Sequence, residues 1–331
     1  MIALIDHTAK PDPELAKRWK EDAVPRVILS RTLDLGAEKS FRDRMKREAR
    51  RLGGLAETET DPLQRRVLIR AAVEALSGGA QGNLRMAQQL STLVAELRPK
   101  AIVVTYEGYA LERITFSAAR GAHPMVACLG YQHSVIFPLQ HAIRRNLARE
   151  YNPDQILTAG SISKAQLEVA TDLNRTPIIV LGSNRGTNAT VAASTPKNQL
   201  SDRRKACLVL PEGIESECHQ LFEFSSACAH ACPAMPFIWH LHPLFSFSVL
   251  AARNPKLKKL PPNVTMSEGT LESAVDQSRW VLYRGTTAVV KAVLDGVRPI
   301  YLESKNELPI DSLSGMGNWR RKVATSNDFR R

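Results

Sequence analysis

The fold of this chain is decided by two stretches of sequence, Phe237-Ile238-Trp239-His240-Leu241-His242-Pro243 and Trp280-Val281-Leu282-Tyr283-Arg284-Gly285-Thr286-Thr287-Ala288-Val289-Val290. Each begins with a short run of large apolar residues, which is typical of a strand buried in a parallel sheet. The first run ends in a histidine followed by a proline, and the second ends in a glycine followed by two threonines. Open α/β sheets bind ligands at the carboxyl ends of their strands. The two stretches therefore predict an α/β fold with a ligand site at that edge.

The alternation of strands with helices extends from Ala101 to Leu302. Besides the two stretches above, short apolar runs predict strands at 101–106, 125–131, 155–159, 176–183, 206–210, 264–266 and 299–302. A polar segment without apolar periodicity, Ser183–Asp202, divides these strands into two groups and is predicted to be a linker. We therefore predict two Rossmann-like α/β domains that face a cleft, at residues 1–190 and 200–331. Few strands are predicted before Ala101, so an incomplete first domain is left open.

The first hundred residues are predicted to be helical and are rich in arginine. A charged helix over Ser40–Arg51 is expected to stop at Gly53-Gly54. Two further helices are predicted over Pro62–Ser77 and Asn83–Leu97, with Gly78–Gly82 as a loop between them. The charged helix has two interpretations, a solvated face or a surface that contacts an anionic membrane or acceptor.

Composition restricts the class of protein. The 331 residues are enough for two domains, and the formal net charge of +12 favours anionic partners without choosing among them. No apolar run is long enough to span a bilayer and the first residues do not resemble a signal peptide, so we expect a cytoplasmic protein. The spacing of Cys228, His230 and Cys232 fits no common zinc pattern, and no metal or other cofactor is expected. The sequence has no nucleic-acid-binding signature, and we expect no nucleic acid partner.

The two polar turns are candidates for binding a phosphate. Pro243 restricts the residue before it to extended geometry, which would direct the imidazole of His242 out of the sheet. Gly285 would allow close approach of backbone, and Thr286 and Thr287 would open a helix whose free N–H groups attract anions. The alternatives are a histidine packed at a strand end and a threonine that only caps the helix.

Other strand ends carry further candidates. Glu212 and Gly213 follow the strand at 206–210, where they could contact a base or ribose. Glu107 follows the strand at 101–106 and is the first candidate for a general base, and His133 is the second, or an acceptor contact. The basic segment that follows has two interpretations, a surface for an anionic acceptor or donor carboxylate, or a solvated helix; its candidate residues are Arg144 and Arg145.

These motifs resemble GT-B glycosyltransferases, and in particular bacterial transferases that use CMP-activated sialic acid or 3-deoxy-manno-octulosonic acid. The resemblance implies that His242-Pro243 and the pair Thr286 and Thr287 hold the CMP phosphate. It also implies that Glu107-Gly108 supplies the catalytic base, although Tyr106 stands where sialyltransferases usually carry a second acid. The segments 106–168 and 208–302 are similar to bacterial surface-carbohydrate biosynthesis proteins as well.

The resemblance implies a metal-independent enzyme that moves an acidic sugar from a CMP donor to a glycan or lipid-linked acceptor. The product would be a surface polysaccharide such as lipopolysaccharide or capsule, with peripheral contact to an anionic inner membrane. Two alternatives remain open. One is a UDP-sugar transferase or nucleotide-sugar epimerase on the same fold, and the other is a non-catalytic basic partner in a glycan assembly complex.

Overall fold

The computed structural model describes residues 2–4, 24–173, 175–183 and 205–331. The chain divides into two compact units, one made of residues 1–132, 142–157 and 172–179 and the other of 133–141, 158–171 and 180–331. The domain boundary predicted at residues 190–200, and nearly all of the predicted linker, lie outside the described residues.

The described residues before Lys205 contain six strands and five α-helices. The strands are β1 (Ile2–Leu4), β2 (Arg26–Ile28), β3 (Ala101–Thr105), β4 (Ala127–Gln132), β5 (Gln155–Thr158) and β6 (Ile178–Val180). The helices are α1 (Leu35–Thr58), α2 (Pro62–Glu74), α3 (Gly78–Leu97), α4 (Ala110–Ala122) and α5 (Ser161–Glu168). Strands β1 and β2 form a small parallel sheet, and a four-stranded sheet has the order β3-β4-β5-β6, with β3 and β4 parallel.

The last third of the chain forms a six-stranded parallel sheet. Its strands are β7 (Ala206–Leu210), β8 (Phe237–Trp239), β9 (Val264–Met266), β10 (Ser278–Tyr283), β11 (Arg298–Leu302) and β12 (Arg321–Val323). Its helices are α6 (Glu215–Ala231), α7 (Phe247–Arg253), α8 (Leu271–Asp276), α9 (Ala288–Leu294) and α10 (Ser326–Arg330). The strand order is β12-β11-β10-β7-β8-β9, and every neighbouring pair is parallel. The predicted α/β class, with parallel sheets in two units, is confirmed.

This strand order is that of a doubly wound sheet. The chain builds β7, β8 and β9 toward one edge, then returns to place β10 beside β7 and continues toward the other edge. The order therefore reverses between β7 and β10. In sheets of this kind the crevice outside the carboxyl ends of the strands, at the reversal point, is where nucleotides bind.

The sheet has a hydrophobic core on each face because alternate residues of a strand point to opposite sides. On one face Trp239 stacks on Phe222 with ring centroids 4.3 Å apart, and Val209 and Leu282 pack with them. On the other face Leu208 lies in a cluster with Val281 and Tyr283. All five residues of β7 are buried, which explains why its apolar run predicted the bounds of this strand correctly.

Two predictions about helices are wrong. Helix α1 continues through Gly53 and Gly54, and Gly78–Gly82 lies inside α3, where Ser77 caps the helix with a 3.1 Å hydrogen bond from the N–H of Ala80. Buried Met45, Ala49 and Ala56 hold α1 in place, and this packing outweighs the cost of about 1 kcal/mol for each helical glycine. The residues after Trp319 form β12 and α10. No helix in the described ranges combines the length and apolarity needed to cross a bilayer.

Candidate functional site

The reversal point of the six-stranded sheet brings together the seven site residues predicted in the second half of the chain. Glu212 and Gly213 follow β7, His242 and Pro243 follow β8, and Gly285, Thr286 and Thr287 follow β10. Because β10, β7 and β8 are neighbours, these three turns lie side by side at the carboxyl edge. We call this group of turns the switch-point site.

The imidazole of His242 packs on Gly213. A Cβ atom at Gly213 would lie 2.8 Å from Cε1 and 3.0 Å from Nε2 of this ring, so only glycine accommodates it there. The ring nitrogen Nδ1 lies 3.3 Å from the N–H of Leu244, which donates to it and assigns the proton of the neutral ring to Nε2. Burial lowers the pKa of His242. The histidine is therefore a neutral N–H donor near pH 7, held in place by its neighbours.

The side chain of Glu212 packs on Gly285. A Cβ atom at Gly285 would overlap Oε2 of Glu212 and would lie 2.8 Å from its Cδ. That oxygen is buried and has no hydrogen-bond partner among the described residues. Burial raises the pKa of Glu212, as does the nearby carboxylate of Glu217, while Arg284 opposes the shift. Gly285 was predicted to make room for a phosphate, and in the structure it makes room for this carboxyl group.

The two threonines differ in their surroundings. Thr286 is buried, and its hydroxyl oxygen accepts a 3.3 Å hydrogen bond from the N–H of Ala288 at the start of α9. Thr287 is exposed and makes no capping hydrogen bond with its side chain. Thr286 therefore binds the first N–H of α9 although it is not the N-cap residue. That residue is Thr287, whose hydroxyl faces solvent beside a helix of only seven residues.

Arg284 was not predicted as a site residue, although it lies directly before Gly285 and is only 3% exposed. Its Nη1 contacts both carboxylate oxygens of Glu217, at 2.6 Å to Oε1 and 2.5 Å to Oε2, and its Nη2 pairs with Glu307. Glu217 lies in the first turn of α6, and this pairing makes it a partner of the buried guanidinium. The sequence does carry a signal for this role, since Arg284 ends an otherwise apolar strand. A guanidinium buried at such a position needs carboxylate partners.

A second buried ion pair supports the Gly285 turn from behind. Asp311 accepts hydrogen bonds from the Tyr283 hydroxyl at 2.7 Å and the Leu313 N–H at 2.9 Å, and it pairs with Nε of Arg320. The next residue, Ser312, donates a 2.7 Å hydrogen bond to the carbonyl of Gly285. The segment around Asp311 thus fixes the backbone of the switch-point site.

The candidate base Glu107 lies in the first unit, half-buried after β3. Its N–H donates to Oε2 of Glu112 at 2.9 Å, and the N–H of Tyr109 donates to the same oxygen at 2.8 Å. Buried Arg113 donates to the carbonyls of Gly108 and Ala142 at 3.1 and 2.7 Å. Glu112 and Arg113 thus both bind backbone groups around the Glu107 turn.

The remaining candidates lie after β4. His133 is half-buried and belongs to the second unit, so its role as a base or an acceptor contact stays a prediction. Arg144 is half-buried at the end of a single 3-10 turn, and Arg145 is exposed with its carbonyl accepting from Arg113 at 2.8 Å. The interpretation of this segment as a solvated helix is therefore wrong.

A pH-dependent effect follows from the raised pKa of Glu212. Its folded-state pKa exceeds its unfolded-state pKa, so its contribution to the free energy of unfolding falls as pH rises through the interval between them. Glu212→Gln removes this penalty, and we expect the variant to gain stability over wild type at pH 7.5 and to lose that gain below pH ~4.5. Urea unfolding at several pH values measures it. Equal changes in Glu268→Gln, at an exposed position, would contradict the assignment.

Comparisons with known proteins do not identify a family for this chain. No family model and no curated protein matches it. A UDP-GlcNAc 2-epimerase from Methanocaldococcus jannaschii is 14% identical, covers 77% of this chain and 74% of its own, and has a TM-score of 0.45. The glycotransferase of kitacinnamycin is 15% identical over 82% and 73%, with a TM-score of 0.49. Os79 from O. sativa in complex with UDP is 12% identical over 99% and 83%, also at 0.49. With identities and scores this low, we argue function from the residues of the site.

Proposed function

We propose that this chain is a glycosyltransferase of the GT-B type that binds the nucleotide of its sugar donor at the switch-point site. The observation that carries the proposal is the placement of His242, Glu212 and Thr287 at the one point where the strand order reverses, between β7 and β10 and beside β8. The crevice at this point is where doubly wound sheets bind nucleotides. The site offers donors for a phosphate and a carboxyl group for a ribose or base.

The proposed chemistry uses side chains alone. Nε2–H of His242 and the hydroxyl of Thr287 would donate to the departing phosphate, where negative charge grows in the transition state. As the phosphate gains charge, the imidazole pKa rises, so the ring can become a cation only when the nucleotide is bound. Glu107 would remove the proton from the acceptor hydroxyl, with His133 as the alternative base. No metal or other cofactor is part of the proposal.

For the donor we propose a CMP-activated acidic sugar and, for the acceptor, a surface glycan or its lipid-linked precursor. The support for CMP is the motif His242-Pro243 together with the threonine pair. The support for an acidic sugar is the basic segment with Arg144 and Arg145, which would neutralise the donor carboxylate. A UDP-sugar transferase or an epimerase on this fold is the competing outcome of the experiment that tests the proposal.

That experiment measures the melting temperature of the purified protein with CMP, UDP, GDP and ADP in separate samples. A ligand that binds only the folded state raises the melting temperature. We expect CMP to give the largest shift, and His242→Ala to weaken CMP binding at least about tenfold, the effect of losing a charge-assisted hydrogen bond. His230→Ala, an exposed histidine on α6, is the matched control and is expected to bind CMP as wild type does.

A larger shift with UDP would replace the CMP donor by a UDP donor. Unchanged CMP affinity in His242→Ala, or no shift with any nucleotide, would overturn the proposed site.

We also propose that the first unit contacts an anionic membrane surface. Helix α2 has no fully buried residue, and four large apolar side chains on it are 50–69% exposed: Leu63, Val67, Ile69 and Val73. The arginine-rich helix α1, which packs on α2, supplies positive charge that attracts anionic lipid. We expect co-sedimentation with phosphatidylglycerol vesicles that Val67→Asp/Ile69→Asp abolishes. Equal binding to phosphatidylcholine vesicles, or no loss in the variant, would reject the membrane contact.

A further inference from the structure

A cavity lies at the amino edge of the six-stranded sheet, opposite the edge that carries the switch-point site. Its volume is about 460 Å³, within the range of small-molecule pockets. Lys205 lines it just before β7, Met235 just before β8, and Arg279 and Trp280 at the start of β10. Arg330, from α10, closes another side. None of these residues belongs to the switch-point site.

The cavity wall is basic and has no compensating acid. Lys205, Arg279 and Arg330 line it, and no carboxylate is among its lining residues. Some exposed cations elsewhere in the unit do pair with carboxylates, for example Lys256 with Glu223 and Lys322 with Glu303. Within the described residues, these three cations form no ion pair. Three cations on one wall attract an anion, and because these side chains are exposed the attraction is strongest at low ionic strength.

Backbone geometry brings two of the lining side chains together. Neighbouring residues of a strand normally point to opposite faces of the sheet. The register between β7 and β10 shifts between Ser278 and Trp280, which makes Arg279 the extra residue of a β-bulge. The bulge turns Arg279 onto the side of Trp280, and its guanidinium lies 4.9 Å from the centroid of the indole ring. Bulges of this kind re-aim side chains and are frequent beside binding sites.

The rest of the cavity wall is apolar, so a ligand that fills the cavity needs an apolar group in addition to its negative charge. Ala231, Pro233, Ala234 and Met235 line the cavity together with the half-buried indole of Trp280. A hydrated inorganic ion would leave this surface exposed to water. A molecule that joins an anionic group to a flat apolar group would bury it and would stack beside the Arg279–Trp280 pair.

We propose that this cavity binds a small organic anion, a phosphate or carboxylate attached to an aromatic or other flat apolar group. The two ends of the sheet would then hold different ligands, the nucleotide at the carboxyl edge and the organic anion at the amino edge. Trp280 and Tyr283 belong to the same strand, and three residues of strand span about 10 Å. The inference does not rest on the proposed glycosyltransferase activity, since it uses none of the residues of the switch-point site.

Phenyl phosphate is the probe, measured by isothermal titration calorimetry on the full chain at low ionic strength. We expect it to bind at one site, more tightly than either inorganic phosphate or phenol. Arg279→Gln/Arg330→Gln is expected to weaken it at least about tenfold, while Arg65→Gln/Arg66→Gln, an equal loss of charge on α2, leaves it unchanged. Lys205→Gln is a second variant. The side chains of Lys205, Arg279 and Arg330 are all exposed, so these substitutions do not affect the core.

Equal weakening by the α2 control would show that the probe senses only net charge and would overturn the proposal. Equal affinity for phenol and phenyl phosphate would overturn the anion requirement. His242→Ala separates the two sites: a loss of phenyl phosphate binding there would move the probe to the switch-point site and reject the cavity, whereas unchanged binding supports it. Failure of CMP to bind wild type would leave this result standing.

Discussion

Asp311→Ala is expected to destabilise the second unit by about 3–5 kcal/mol, the cost of removing one partner of a buried ion pair. The side chains of Asp311 and Arg320 are each 4% exposed, so the guanidinium would be left charged and desolvated. The hydroxyl of Tyr283 and the N–H of Leu313 would also lose their shared acceptor.

Urea unfolding of Asp311→Ala and Asp311→Asn measures the effect. The asparagine variant keeps an acceptor for the Tyr283 hydroxyl and loses only the charge, so we expect it to lie between wild type and alanine. Because Ser312 holds the Gly285 carbonyl, both variants are also expected to weaken nucleotide binding at the switch-point site. A loss below about 1 kcal/mol in the alanine variant, the size of one ordinary hydrogen bond, would contradict the assigned role.

Gly108→Ala is the second substitution with a large expected effect, a loss of about 3 kcal/mol or more from the first unit. Gly108 has φ of 86°, where an L side chain is strained by roughly 1–3 kcal/mol. Its added Cβ would overlap the backbone of Ala142 and Ile143, and correcting an overlap of this kind costs a further 1–3 kcal/mol or so. Backbone cannot rotate away as a flexible side chain can, so the Glu107 turn itself is expected to move.

Gly54→Ala is the matched control for Gly108→Ala. Gly54 lies inside α1, and an added Cβ there meets no atom within 4 Å. We expect this variant to be more stable than wild type by about 0.5–1 kcal/mol, since alanine loses less backbone entropy in a helix. Thermal and urea unfolding of both variants test the pair. A Gly108→Ala protein as stable as Gly54→Ala would show that the Glu107 turn adapts without strain.

The strands of the second unit could be predicted well because their signal is local. Leu208 and its neighbours in β7 form a continuous apolar run, and a run of this kind forms a strand when both faces of the sheet are covered. The helices of the first unit were predicted less well. Gly53 and Gly54 are poor helix formers, but the packing of Met45 and Ala56 is made by residues elsewhere in the chain and cannot be seen in a local window.

The candidate site, too, could be predicted from the sequence only in part. Sequence by itself determined which turns carry polar groups, because His242-Pro243, Glu212-Gly213 and Gly285-Thr286-Thr287 each follow an apolar run. Only the tertiary structure decided which groups meet: His242 packs on Gly213, Glu212 on Gly285, and Arg284 on Glu217. The physical reason is strand order, since the return of the chain to place β10 beside β7 brings distant turns into contact. The bulge at Arg279 is of the same kind, because it depends on the register between two strands that are far apart in the chain.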